Sequence, residues 1–285
     1  MNRFIALLIF SLSFVSQLAF GQSDNCETLT QQEGIVSIPM QTGGRPTVAV
    51  LNTGVLPIGI SRMLAQDLGL EVEPVPARNI LWSAIPAISG QVSNVPIRIF
   101  NQDLQIEQMY VMDNPARFVY LSLLMFNDFI MQVNLPQSSL CFLNRSALNM
   151  REANNIEMKM ANGRVAIFVS INEAKPVWLE LQLEYPGAVR LNRDVAIELG
   201  LIDEASTATA GIADSLMFGP YELGNIALAY PPSGQQAGSE LERLQRMARR
   251  GGGGIETRGV LGYEILKHFV VTLDTDRARM HVYVP

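Results

Sequence analysis

Residues 50–70 read VLNTGVLPIGISRMLAQDLGL. An apolar pair, Val50-Leu51, leads into Asn52-Thr53-Gly54; an alternation at Ile58-Gly59-Ile60 follows, and Ser61-Arg62 opens a short helix ending in Gly69-Leu70. Ser61 is a competent N-cap, and Gly69 stands where a helix C-terminus favours a positive φ. The same succession returns at 189–201, VRLNRDVAIELGL, with Asn192, also a competent N-cap, and Arg193 in place of Ser61 and Arg62, and Gly200 in place of Gly69. Further along, 126–142 (FNDFIMQVNLPQSSLCF) and 266–283 (LKHFVVTLDTDRARMHVY) form another matching pair, each a helical turn, a strand, a tight polar turn and a second strand. Start and end signals recurring in one order imply two copies of one unit, from Gly34 to Leu143 and from Met158 to Val284.

Between these landmarks the chain is strand-like. Thr47–Leu51, Val95–Phe100, Leu104–Val111, Val165–Ile171, Val177–Leu183 and Ile226–Tyr230 are rich in β-branched and aromatic residues and alternate in polarity. The expected fold is mainly β: two tandem, mostly antiparallel lobes, each with one short helix. A first lobe over 22–150 and a second over 151–285 follow, with polar Arg145–Asn155 as the linker. One element breaks the repeat. Ser233–Gly254 inserts SGQQAGSELERLQRMARRGGGG, in which Ser239 and Glu242 make a capping box, so a helix near 238–250 is expected on a glycine tether.

Composition narrows the chemistry. The 285 residues are 48% hydrophobic and carry 21 Lys+Arg against 27 Asp+Glu, a net charge of −6. That is too apolar for a disordered chain, and the acidic balance argues against nucleic-acid binding. With two His and two Cys, zinc sites, Cys/His catalysis and iron–sulfur clusters lack ligands, so no metal and no cofactor is expected. Residues 1–21 (MNRFIALLIFSLSFVSQLAFG) have a cationic Arg3, an apolar run and small residues at Ala19 and Gly21, and read as a cleaved signal peptide; a retained anchor is the alternative. No other stretch is apolar for long enough to span a bilayer. The chain is therefore expected to be exported, periplasmic or secreted. Cys26 and Cys141 would form a disulfide in an oxidising compartment, two buried free thiols being the other possibility.

The segment VLNTGVLPIG at 50–59, followed by IGIS and the Gly-Leu helix, resembles the active-site hairpin of retropepsin-like (pepsin-type) aspartic peptidases. Gly259-Val260-Leu261-Gly262-Tyr263-Glu264-Ile265-Leu266 resembles that family's apolar-apolar-Gly segment and following helix, and Val271–Asp274 the strand beyond it. The resemblance implies a flap over Leu81–Val95, where Gly90 sits and Trp82 either touches a ligand or is a packed aromatic, and a cleft between two fused lobes, so that the chain serves as a monomer. It also implies a pair of carboxylates, one per lobe, close enough to share a proton, so that one activates water while the other protonates the substrate.

At the decisive atoms the sequence departs from the pattern. Asn52 occupies the catalytic Asp position of the first lobe, followed by the expected Thr53 and Gly54; its amide neither ionises nor relays a proton. In the second lobe, counting back from Leu191 reaches Leu183, or Glu184 with one residue deleted, and Leu183-Glu184-Tyr185-Pro186-Gly187 contains no Asp-Thr-Gly. Ser122 stands for the glycine matched by Gly262. These degenerate motifs lead to the expectation of an inactive aspartic-peptidase-like protein that binds an extended peptide or protein segment between its lobes. Two alternatives stay open: an active aspartic endopeptidase with a nonstandard dyad that uses Glu184, and a cell-envelope structural or assembly protein docking through the arginine-rich insert.

Overall fold

The computed structural model describes residues 25–32, 34–53, 58–75, 88–161, 163–232 and 255–285; the leader expected at 1–21, Gly54, Trp82 and the insert helix expected near 238–250 lie outside the described residues. Two seven-stranded sheets carry the two copies. In the first, neighbouring strands are Thr30–Gln32, Ile35–Thr42, Arg45–Asn52, Val119–Ser122, Gly59–Ser61, Gln102–Met112 and Ile88–Ile99. In the second they are Met158–Ala161, Arg164–Ile171, Val177–Leu181, Gly259–Leu261, Val189–Leu191, Tyr221–Ala229 and Ala210–Phe218. Strand for strand, the order is the same. Each sheet also curls so that its last strand meets its second, Gln41 pairing with Arg98 and Ser170 with Met217.

Alternation drives the curl. Along Ile35–Thr42, Val36, Ile38, Met40 and Thr42 are buried while Ile35, Pro39 and Gln41 are exposed. The inward sets of the two sheets, including Leu51, Ile60 and Leu121 in one and Leu179, Leu191 and Leu261 in the other, are fully buried. Helices Arg62–Asp67 and Arg193–Glu198 follow the strands before them and end at Gly69 and Gly200, with φ of +65° and +68°. Their starts differ. Ser61 Oγ accepts from the Leu64 N–H (3.3 Å), but the Asn192 side chain makes no capping bond, which corrects the symmetrical expectation. Asp194 in the first turn supplies the favourable charge there instead. Shorter helical pieces lie at Leu123–Phe126, Met150–Ala153 and Tyr263–Leu266, the last where the resemblance implies a helix after Gly262.

A third sheet joins the copies. Its order is Cys26–Thr28, Ser139–Leu143, Ile130–Asn134, Val270–Asp274 and Arg279–Tyr283, so the matching hairpins of the two repeats meet edge to edge. Val133 opposes Val271 at that junction, and the Gln132 and Thr272 side chains are hydrogen-bonded (3.3 Å). Cys26 lies directly opposite Cys141 on antiparallel strands, Cα atoms 4.0 Å apart, and the two form a disulfide. The far edge is closed differently: Asn155 Nδ2 donates to the Val282 carbonyl (2.7 Å) and its Oδ1 accepts from the Val282 N–H (2.9 Å), while Asn154 Oδ1 accepts from the Met280 N–H (2.8 Å). The linker thus satisfies an edge that would otherwise offer unpaired backbone groups.

Candidate functional site

Strand register identifies the equivalent residues of the two lobes. Leu51 pairs with Leu121 and Asn52 with Ser122; in the second lobe Leu181 pairs with Leu261, and the Gln182 N–H donates to the Leu261 carbonyl (3.0 Å). Gln182 therefore holds the place in the second lobe that Asn52 holds in the first. The register corrects the count along the sequence, which reaches Leu183 or Glu184. Ile60 pairs with Val119 as Leu191 pairs with Gly259, so Ile60 and Leu191 are equivalent too. Ile60 follows Asn52 by eight positions and Leu191 follows Gln182 by nine, so the second hairpin is one residue longer.

Thr53 ties the lobes together. Its hydroxyl donates to the Leu181 carbonyl (2.6 Å) and accepts from the Leu183 N–H (3.3 Å), so one side chain clasps the backbone on both sides of Gln182. A two-fold relation would have the residue at 183 return the grip, but leucine has no hydroxyl. Glu184 takes over half of that task. Its Oε2 accepts from the Thr53 N–H (3.2 Å) and lies 3.3 Å from the Thr53 hydroxyl. Burial pushes the Glu184 carboxyl above the ordinary carboxylate range; hydrogen bonds from its own N–H and from the Thr53 N–H and hydroxyl, and the charge of Arg164, oppose the rise without reversing it.

Asn52 is only 1% exposed, and among the described residues neither Oδ1 nor Nδ2 has a hydrogen-bond partner. A buried amide with nothing bound to it is costly, on the order of 1–3 kcal/mol per lost group. Its bonded neighbour Thr53, equally buried, has its N–H and its hydroxyl engaged in the grip. Gln182 is better provided for. Its Nε2 donates to Glu180 Oε2 (3.0 Å); the same carboxylate receives Arg164 Nη1 at Oε2 and Thr257 Oγ1 at Oε1 (2.8 Å). Arg164 and Glu180 form a nearly buried ion pair, set by their positions on the paired strands Arg164–Ile171 and Val177–Leu181.

The tip of the second lobe's hairpin is tightly packed. In the second lobe Tyr185-Pro186-Gly187 fills the tip: a Cβ on Gly262 would lie 2.3 Å from the Gly187 carbonyl oxygen, so glycine is required there, whereas its counterpart Ser122 uses its Oγ to accept from the Leu124 N–H (3.3 Å). Pro186 also reaches the first lobe, where Gly34, at φ +78°, leaves no room for a side chain. Gly90 is buried within its own lobe at a register shift in strand Ile88–Ile99, against Val72 and Glu73. Among the described residues no group of three or more His, Cys, Asp or Glu side chains could hold a metal ion, and no helix is long and apolar enough to cross a membrane.

Sequence reasoning missed Gln182, Arg164, Glu180 and Thr257. The signal for the first was available in the apolar strand ends, since Leu51 and Leu181 align when the copies are matched from their strands forward instead of from their helices back. Nothing local in the sequence pairs Arg164 with Glu180.

No family model and no curated protein matches the chain in sequence. Among solved structures it is similar to basic 7S globulin from soybean (8% identity over 91% of this chain and 94% of that one, TM-score 0.49) and to a retropepsin-like aspartic protease from Rickettsia conorii (17% identity, 45% of this chain and 88% of that one, TM-score 0.31). It is also similar to the aspartic proteinase from Irpex lacteus, at 9% identity over 92% of this chain and 97% of that one, with a TM-score of 0.51. At that identity the likeness is one of architecture, and it agrees with the duplicated sheets and the joining sheet: the chain has the two-lobed aspartic-protease-like fold.

Proposed function

We propose that this is an exported aspartic-peptidase-like protein without peptidase activity, which holds an extended peptide or protein segment between its two lobes. The observation that carries the reading is the pair of amides, Asn52 and Gln182, at the two equivalent strand ends. Proton sharing between two carboxylates is what lets the fold's hydrolases activate water, and two amides have no proton to share. Binding by strand pairing needs no ionisable group, because the backbone of an extended ligand supplies the hydrogen bonds. The Cys26–Cys141 disulfide is compatible with export. The leader at 1–21 is the second support for it.

The enzyme alternative requires Glu184 to work with Asn52. Its carboxylate instead bonds Thr53, and among the described residues it makes no bond to the Asn52 amide, which favours the binding reading. The arginine-rich insert on which the envelope-assembly alternative depends falls outside the described residues.

Peptide hydrolysis at acidic pH tests the proposal. The wild-type chain is expected to be inert, and Asn52→Asp alone to stay inert because Gln182 supplies no second carboxylate; Asn52→Asp with Gln182→Asp is the variant that could regain cleavage. Pepstatin-sensitive hydrolysis by the wild-type chain, lost in Asn52→Ala, would overturn it.

A further inference from the structure

We infer that Arg190, laid over the ring of Tyr185 beside the contact between the lobes, is a seat for a carboxylate of the bound segment; this rests on the proposed reading and narrows it to acidic ligands. Register sets the residues of the two lobes in matching rows. In the first lobe Val50, Tyr120 and Gly59 lie side by side on neighbouring strands, and in the second the same row is Glu180, Val260 and Arg190. Alternation puts Val50 on the face of Asn52 and Glu180 on the face of Gln182, as the hydrogen bond from Gln182 to Glu180 (3.0 Å) requires. Val189 and Leu191, on either side of Arg190, are fully buried in the core, so Arg190 leaves the sheet on that same outer face. A position that is glycine in one lobe thus carries a long cation in the other.

The cation is held in place but left unused. Its guanidinium lies 5.2 Å from the centre of the Tyr185 ring, a cation–π contact. That ring is itself fixed: a Cβ on Gly187 would come within 2.5 Å of the Tyr185 hydroxyl and one on Gly262 within 2.4 Å of Tyr185 Cδ1, so both glycines make room for it. Glu184 on one side of Tyr185 bonds Thr53, and Pro186 on the other packs against Gly34, which brings the platform to the first lobe. Among the described residues the Arg190 side chain makes no ion pair and no hydrogen bond. Its Nε is enclosed, and because the residue is only half-buried the two Nη atoms are its open end. The nearest acids leave it uncompensated, since Glu180 is taken by Arg164 and burial favours the uncharged form of Glu184. A guanidinium end matches a carboxylate with two parallel charge-assisted hydrogen bonds, which no neutral side chain equals. Val50 and Tyr120 offer nothing comparable in the first lobe, so the acid also decides which part of the segment faces which lobe.

The test uses the full-length protein and two probes. The first is a set of acetylated octapeptide amides of Ala, Thr and Tyr through which one Glu is walked, each paired with its Gln version. At one position Glu is expected to bind about tenfold more tightly than Gln. That advantage should vanish in Arg190→Gln, survive in part in Arg190→Lys and shrink in Tyr185→Leu. Peptides lacking Glu but ending in a free carboxylate identify the source: a gain with them assigns the seat to a chain terminus, a gain with internal Glu to a side chain, and either supports it. Equal binding of Glu and Gln throughout with no gain from a free terminus, or a gain that persists in Arg190→Gln, would overturn the seat. The second probe is acetate against acetamide, read on nitrogen-15-labelled protein at the Nε–H of Arg190, which its enclosure shields from exchange. Acetate is expected to shift that signal saturably and acetamide to leave it still. A saturable acetate shift with no peptide binding supports the seat and counts against the broader reading; peptide binding with no carboxylate preference overturns the seat alone; silence from both probes overturns both.

Discussion

The two strand-end hairpins occupy equivalent places in equivalent sheets, yet they solve the same problem with different chemistry. In the first lobe, Thr53 reaches across with a hydroxyl and engages both a donor and an acceptor of the other chain segment, while Asn52 beside it has no partner among the described residues. In the second, Leu183 contributes only backbone, a carboxylate from Glu184 substitutes for the absent hydroxyl, and Gln182 is held by a buried ion pair. The tie is made from both sides, but by a hydroxyl on one and a carboxylate on the other. The joining sheet is asymmetric in the same way, with a disulfide at one edge and the side chains of Asn154 and Asn155 at the other. Sheet order tolerates such divergence because it depends on backbone pairing and apolar alternation, and both survive wholesale changes of polar side chains.

That contrast can be broken from either side. The largest effect is expected at the disulfide edge: Cys26→Ser with Cys141→Ser should lower unfolding free energy by up to about 4 to 5 kcal/mol on loop-entropy grounds, read as a fall in the urea midpoint. Next comes Thr53→Val, which keeps shape but strands the Leu181 carbonyl and the Leu183 N–H; a loss of about 2 to 4 kcal/mol is expected by the same measurement. Asn52→Leu should move the other way, stabilising the ligand-free chain by about 1 to 3 kcal/mol, since it replaces an unpartnered buried amide with an apolar group of similar size. A neutral or destabilising result would mean that Asn52 is satisfied in solution.

The two smaller expectations sharpen the comparison. Asn155→Ala should cost about 1 to 2 kcal/mol, less than the disulfide at the opposite edge, because solvent can replace part of what the amide gives Val282. Glu184→Gln should change the pH profile more than the stability at any one pH. The folded chain favours the protonated Glu184, so that contribution is complete below the ordinary value of 4.5 and is lost as pH rises through the elevated folded value. Wild-type urea midpoints should therefore decline over that rise relative to Glu184→Gln, and parallel profiles would show that Glu184 does not titrate differently in the folded chain.

The duplication, the mainly β character and the helix ends at Gly69 and Gly200 were legible in the sequence, because alternation, caps and turns are local signals repeated in one order. Asn52 and Thr53 were legible for the same reason. Gln182 was not, since one extra residue in the second hairpin shifts any count that starts from the helix, and only hydrogen-bond register between strands distant in sequence reveals the shift.

The sequence by itself determined that the chain would fold as two similar β lobes and that the first would lack a carboxylate at its strand end. The tertiary structure alone decided that the matching hairpins join in one sheet, that the paired cysteines face each other across its first two strands, that a single threonine carries the grip between lobes, and that the second strand end is also an amide. Each of these is a pairing between residues far apart in the chain, and such pairings are chosen by which backbone groups and buried polar atoms must be satisfied once the core has closed.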